Sequence, residues 1–114
     1  MKREVKIETL NSTKAKILYD NFVISKRMLT KARSGSEKMS FHHPLIKKGW
    51  EHVISNGEMD DIVYFSHGKA NISWDEKEVE VSSGSCLYIP SSCEYRYQAI
   101  GDATMMCVFS PSAE

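Results

Sequence analysis

Between Gly49 and Pro90 the chain is cut into strand-length pieces by turn residues, at Asn56-Gly57, Gly68, Asp75-Glu76-Lys77 and Ser83-Gly84. Turns at that spacing, separated by β-branched and aromatic residues, point to an all-β protein with little helix. The stretch reads as four short strands closing on a Gly84-x5-Pro90 turn. Asn56-Gly57 is a strong hairpin dipeptide. Asp61-Ile62-Val63-Tyr64-Phe65 is too apolar to leave one face in water, so a strand covered on both sides is expected. Val79 and Val81 alternate with Glu78 and Glu80, the pattern of a half-exposed strand.

The flanks extend the pattern. Glu94 to Ala99 alternates through Tyr95 and Tyr97, and Gly101-Asp102 turns into a last apolar strand, Met105 to Phe109. Upstream, Met39 to Ile46 carries Phe41 and Leu45 but is interrupted by Pro44, which predicts an edge strand. Lys2 to Leu10 alternates loosely and reads as an opening edge strand, followed by a turn at Asn11-Ser12-Thr13. Ala15 to Met28 fits neither period well, although Phe22-Val23-Ile24-Ser25 is strand-like, and Ser34 to Glu37 is a loop. The expected organisation is an N-terminal arm with edge strands over residues 1–38, a sheet core over 39–111 and a tail over 112–114. The fold class is a single-domain antiparallel barrel or jelly roll.

A chain of 114 residues supports one core and not two. Fifteen basic and fifteen acidic residues cancel, which argues against nucleic acid as the main partner, although nine of the basic residues fall within 1–33. No apolar run approaches the roughly 20 residues that span a bilayer, and MKREVKIETL lacks the apolar core of a secretory signal. Cys86, Cys93 and Cys107 are an odd set without Cys-x2-Cys spacing, so a reducing cytoplasm is expected, with no disulfide framework and no structural zinc.

Two spacings resemble the cupin family, whose first motif is Gly-x5-His-x-His-x3/4-Glu-x6-Gly and whose second is Gly-x5-Pro-x-Gly-x2-His-x3-Asn. Asp61-x6-Gly68 matches the end of the first, with Asp for Glu, and Gly84-x5-Pro90 matches the start of the second. The resemblance covers roughly residues 39–110 and implies a small jelly-roll barrel that pairs into a homodimer. It departs at the metal ligands. The paired histidines fall near Ser55 and Gly57 or Ile54 and Asn56, and the second-motif Gly, His and Asn are Ser92, Tyr95 and Ala99. Two branches tolerate such departures. Ser40-Phe41-His42, Gly49-Trp50-Glu51-His52 and Met106-Cys107-Val108-Phe109-Ser110-Pro111 resemble ectoine synthase, a cyclising water-lyase. Glu58-Met59-Asp60-Asp61-Ile62-Val63 resembles the ethanolamine-utilisation cupin.

The candidate residues follow from position. Asp61 opens a strand expected to be buried, and a buried carboxylate must be paired, protonated or bound to a cation. Metal ligand, general base and solvent-facing strand end all remain open for it. His52 shares a strand face with Ile54 and Asn56 and offers a shifted imidazole. His42 and His43 are adjacent, so at most one faces the interior, and His42 is the candidate. Tyr95 is a ligand, a proton donor or simply a ring closing the cavity, and Tyr97 shares its face. Glu51 is an acid/base candidate, set against the commoner role of surface glutamate. Arg27 would hold a substrate carboxylate or remain a solvated charge. By resemblance to ectoine synthase, Cys107 and Phe109 would line the substrate cavity.

The reading that combines these is a cupin binding a small polar metabolite in its barrel and catalysing a lyase or cyclisation step. Asp61, His52 and His42 would hold Fe, Mn, Ni or Zn as a Lewis acid, with Tyr95 and Glu51 in proton transfer. The alternatives are a metal-free ligand-binding or assembly module and an ethanolamine-utilisation-type cupin.

Overall fold

The computed structural model describes residues 4–114. Ten strands and one helical turn follow in order: β1 Ala15–Leu18, β2 Val23–Leu29, α1 Lys31–Ser34, β3 Ser40–Ile46, β4 Glu51–Ser55, β5 Asp60–His67, β6 Lys69–Trp74, β7 Lys77–Ser82, β8 Cys86–Ile89, β9 Glu94–Ala99 and β10 Ala103–Ser110. They form two antiparallel sheets, one in the order β1-β2-β3-β10-β5-β8 and the other β4-β9-β6-β7. The sheets pack face to face as a jelly-roll sandwich. Hydrogen bonding does not close them into one barrel, because β1, β8, β4 and β7 end their sheets as edges.

Several turns act as expected. Asp75 and Glu76 take positive φ of 44° and 62° and close the β6–β7 hairpin. Gly68 turns β5 into β6 at φ +97°, and a Cβ there would meet the Asp102 carbonyl oxygen at 2.3 Å, so only glycine fits.

Other expectations are corrected. The stretch from Gly49 to Pro90 holds five strands, since the segment inside Gly84-x5-Pro90 is itself β8. Asn56-Gly57 is no hairpin: β4 pairs with β9, and the turn carries the chain from one sheet to the other. Met39 to Ile46 is no edge, because β3 lies between β2 and β10. Pro44 is tolerated there because its missing N–H falls where the β3–β10 ladder has no paired residues, between Leu45↔Thr104 and His42↔Cys107. Among the described residues the opening strand does not form. Residues 4–10 are irregular with Val5 and Ile7 exposed, and the earlier part of that segment lies outside the described residues.

β5 is not covered on both faces. Asp61, Val63 and Phe65 point inward and are buried, whereas Ile62 and Tyr64 point outward and remain 47% and 39% exposed. The register explains why so many apolar residues are needed outside. Phe41, Val108, Ile62 and Tyr88 stand in one row across four strands of the larger sheet, with Met106 and Tyr64 beside them. This is a continuous apolar outer face.

The inward rows build the interior. Arg27, His42, Cys107, Val63 and Leu87 are register partners across five strands. The neighbouring row is Ser40, Phe109, Asp61 and Ile89. Tyr95, Tyr97 and Ala99 of β9 and Ala70 and Ile72 of β6 face them from the smaller sheet. Ala70 and Ala103 are packed without solvent contact, and Phe65 and Met105 are at most 3% exposed beside them.

Candidate functional site

Where the two inner faces do not meet, a cavity of about 240 Å³ remains. This lies just under the roughly 300 Å³ at which ordinary ligand pockets begin, so it suits a small molecule. Val63, Phe65, Ile72, Leu87 and Met105 provide apolar walls. Into it come Arg27 and Ser25 from β2, His42 from β3, Asp61 from β5, Tyr95 and Tyr97 from β9, and Cys107 and Phe109 from β10. Period-2 alternation places them: each is an inward position of a strand whose next residue faces outward.

Asp61 is 3% exposed. Its Oδ2 accepts a hydrogen bond from Asn56 Nδ2 at 3.1 Å, and its Oδ1 has no partner among the described residues. Burial raises its pKa from 3.8 to about 7, against the smaller opposing effect of the Asn56 bond. Asp61 is therefore divided between acid and carboxylate at neutral pH. Burial, helped by the positive charge of Arg27, lowers His42 from 6.5 to about 4, so its imidazole is neutral. That ring packs on Phe109 at 4.9 Å between centroids.

Burial also pushes the hydroxyls of Tyr95 and Tyr97 well above the ordinary 10, with Asp61 adding to the shift of Tyr95 and Cys107 to that of Tyr97. The thiol of Cys107 moves up for the same first reason, then by the charge of Asp61. A thiol held protonated is neither a nucleophile nor a thiolate ligand. Cys107 lines the wall as a neutral side chain.

His52 and Glu51 do not join this group. His52 stands in an inward row with Tyr97 and Ile72, but β4 is an edge strand and the ring lies at the open side of the sandwich. It stacks on Trp50 at 5.4 Å and packs on Tyr19 at 4.8 Å, and its Nδ1 bonds the Val53 carbonyl at 2.7 Å. Glu51 is exposed and pairs with Arg96 at 3.0 Å. Asn56 reads locally as a turn residue, yet its amide reaches the site. The signal was its parity with His52 and Ile54, which puts its side chain on the inward face beside Asp61.

Among the described residues, no three of His, Cys, Asp and Glu come together as a metal site. Of the unpartnered cavity atoms, His42 Nε2 and Asp61 Oδ1 are the metal donors, since burial holds the Tyr97 phenol protonated. Catalytic zinc and the two-His-one-carboxylate iron site each need at least three protein donors. A metal held in the usual way does not fit this set.

Two facing antiparallel sheets, tight turns at Gly68 and Gly84, and a cavity lined by polar side chains from inward strand positions are the outline of the cupin fold. No protein-family model and no curated protein matches the chain. Solved structures do. An RmlC-like cupin from Shewanella frigidimarina NCIMB 400 superposes with a TM-score of 0.80 at 13% identity, covering 100% of this chain and 97% of that one. Ectoine synthase from P. lautus gives 0.74 at 23% identity over 83% of this chain and 68% of that one. The EutQ protein of Clostridium difficile gives 0.69 at 22% identity over 79% and 63%, so this chain spans less than two thirds of it. At these identities the likeness is one of fold.

Proposed function

We propose that the protein binds a small polar metabolite inside the sandwich and carries out proton transfer on it, with Asp61 as the acid/base group. One observation carries this reading. The buried side-chain atoms with no hydrogen-bond partner among the described residues are Arg27 Nε, His42 Nε2, Asp61 Oδ1 and Tyr97 Oη, and all four residues line the same cavity. Each such atom costs about 1–3 kcal/mol in an apolar interior. A fold whose only purpose was stability would not gather four of them around one space. A polar guest satisfies them together.

The chemistry follows from acidity. A group with a pKa near 7 can take a proton and return it within one turnover, which is the requirement for a general acid/base at neutral pH. In a dehydration or cyclisation, the Asp61 carboxylate would remove a proton from the substrate and deliver it to the departing hydroxyl, which leaves as water. Neutral His42 and the Tyr97 hydroxyl would orient the substrate oxygens. This chemistry is that of the lyases and cyclases the ectoine synthase resemblance suggests. Three free cysteines support a reducing, cytoplasmic setting. The apolar outer face of the larger sheet supports a homodimer.

Screening small hydroxy acids, amino acids and sugar acids by NMR against the protein labelled at valine and methionine methyls tests the binding. Hits should move Val63 and Met105. If no compound moves either, the reading fails. Asp61→Asn separates an enzyme from a pure binding module: an enzyme keeps its ligand and loses turnover.

A further inference from the structure

Arg27 is where the cavity meets the C-terminal segment. Its side chain is 21% exposed and spans the wall of the sandwich. On one side, Nη1 pairs with the carboxylate of Glu114. On the other, Nε is buried and makes no hydrogen bond, and the residue lines the cavity beside its register partner His42. Glu114 is placed by the segment before it. Ser112 N–H donates to the Glu37 carbonyl at 3.0 Å, and Ala113 N–H donates to Ser40 Oγ at 2.9 Å. Ser40 belongs to the same inward row as Asp61.

A guanidinium has two useful edges. Nη1 and Nη2 form the end, and Nε with Nη2 forms the side, which accepts a carboxylate through two parallel hydrogen bonds. Glu114 takes Nη1 and leaves Nε unpartnered in a residue that lines the cavity. A neutral amide or alcohol would accept one bond from Nε–H. A carboxylate would accept from the side edge and meet positive charge, in a setting where burial strengthens both effects. Resting on the reading that this cavity is the ligand site, we propose that its ligand is a carboxylate seated side-on upon Arg27, and that Glu114 is the positioning residue holding the other edge of that guanidinium. The cavity's size limits the guest to a short acid. A phosphate is less well matched, because Arg27 is the only cationic side chain among the described cavity-lining residues.

The test uses the full chain, with NMR signals of the Arg27 Nε–H and the Val63 and Met105 methyls, and with propionate, propionamide and inorganic phosphate as probes. Propionate should shift the Arg27 Nε–H and the methyls together and bind about ten-fold more tightly than propionamide, the margin of a charge-assisted over a neutral hydrogen bond. Arg27→Lys should remove that preference. Glu114→Gln should weaken propionate several-fold and leave propionamide unchanged, a split that general loosening of the fold would not produce. Equal affinity for propionate and propionamide overturns the proposal, as does a methyl response without an Arg27 response, and in both cases cavity binding still stands. A stronger Arg27 response to phosphate overturns the choice of carboxylate. If no probe moves the methyls, both this proposal and the binding function fall.

Discussion

Replacing Asp61 with Asn keeps the shape and the acceptor for Asn56 but removes the titration, and its effect on stability should depend on pH in a defined way. In the unfolded chain the carboxyl ionises near 3.8, and in the folded protein near 7. Below both values it is protonated in either state and costs nothing. As pH rises from 3.8 to about 7, the unfolded state loses the proton first, so the wild type loses stability; above 7 the loss is complete. At about 1.4 kcal/mol per pH unit, the full gap amounts to about 4 kcal/mol, and the portion lost between pH 5 and 8 is about 3 kcal/mol. Other carboxylates also titrate in this range, so the quantity to follow is the difference between the two proteins. Urea unfolding from pH 3 to 8.5 should find them equally stable at the acid end and Asp61→Asn about 4 kcal/mol more stable at the alkaline end. Parallel curves would mean that Asp61 ionises normally. The argument for it as a neutral-pH acid/base would then be wrong.

Four further outcomes follow. Tyr97→Phe deletes a buried hydroxyl without a partner and should raise ligand-free stability by about 1 kcal/mol in the same assay, while weakening any polar ligand. Gly68→Ala places a Cβ against the Asp102 carbonyl at positive φ and should cost at least about 2 kcal/mol by thermal unfolding. With two cavity donors in place of three, protein purified without a His-tag should carry well under one Fe, Mn, Ni or Zn per chain by elemental analysis, and chelator should not change its melting temperature. The row Phe41, Val108, Ile62 and Tyr88 should be covered by a second copy, so light scattering should report a dimer that Ile62→Lys disrupts; a wild-type monomer at working concentration refutes this.

What the sequence made legible was whatever depends on local chemistry. Turn residues mark the strand ends from β4 to β7, and period-2 alternation put Tyr95 and Tyr97 on one face, which is the inward one. What failed depends on partners distant in the chain. Pro44 suggests an edge until the ladder on its other side is known to have a gap at that point. Asn56-Gly57 suggests a hairpin because nothing local says that β4 will pair with β9. β5 looks doubly buried because outward apolar residues cannot be told from core by composition. His52 had the right face on the wrong strand of its sheet, and only the order of strands reveals that β4 is an edge. The union of Arg27 with Glu114, 87 positions apart, has no local trace at all.

The Asn56 side chain bonds Asp61, while its backbone makes the corner between the two sheets. That double duty limits how the sequence can vary. A residue that improved the corner but lacked an amide would withdraw the donor that sustains the acidity of Asp61, and the carboxyl would drift further from ionisation. A residue that kept a donor but disfavoured the turn would misplace β5 and Asp61 with it. Variation at this corner therefore tunes proton affinity and strand placement together, and neither can be selected without the other.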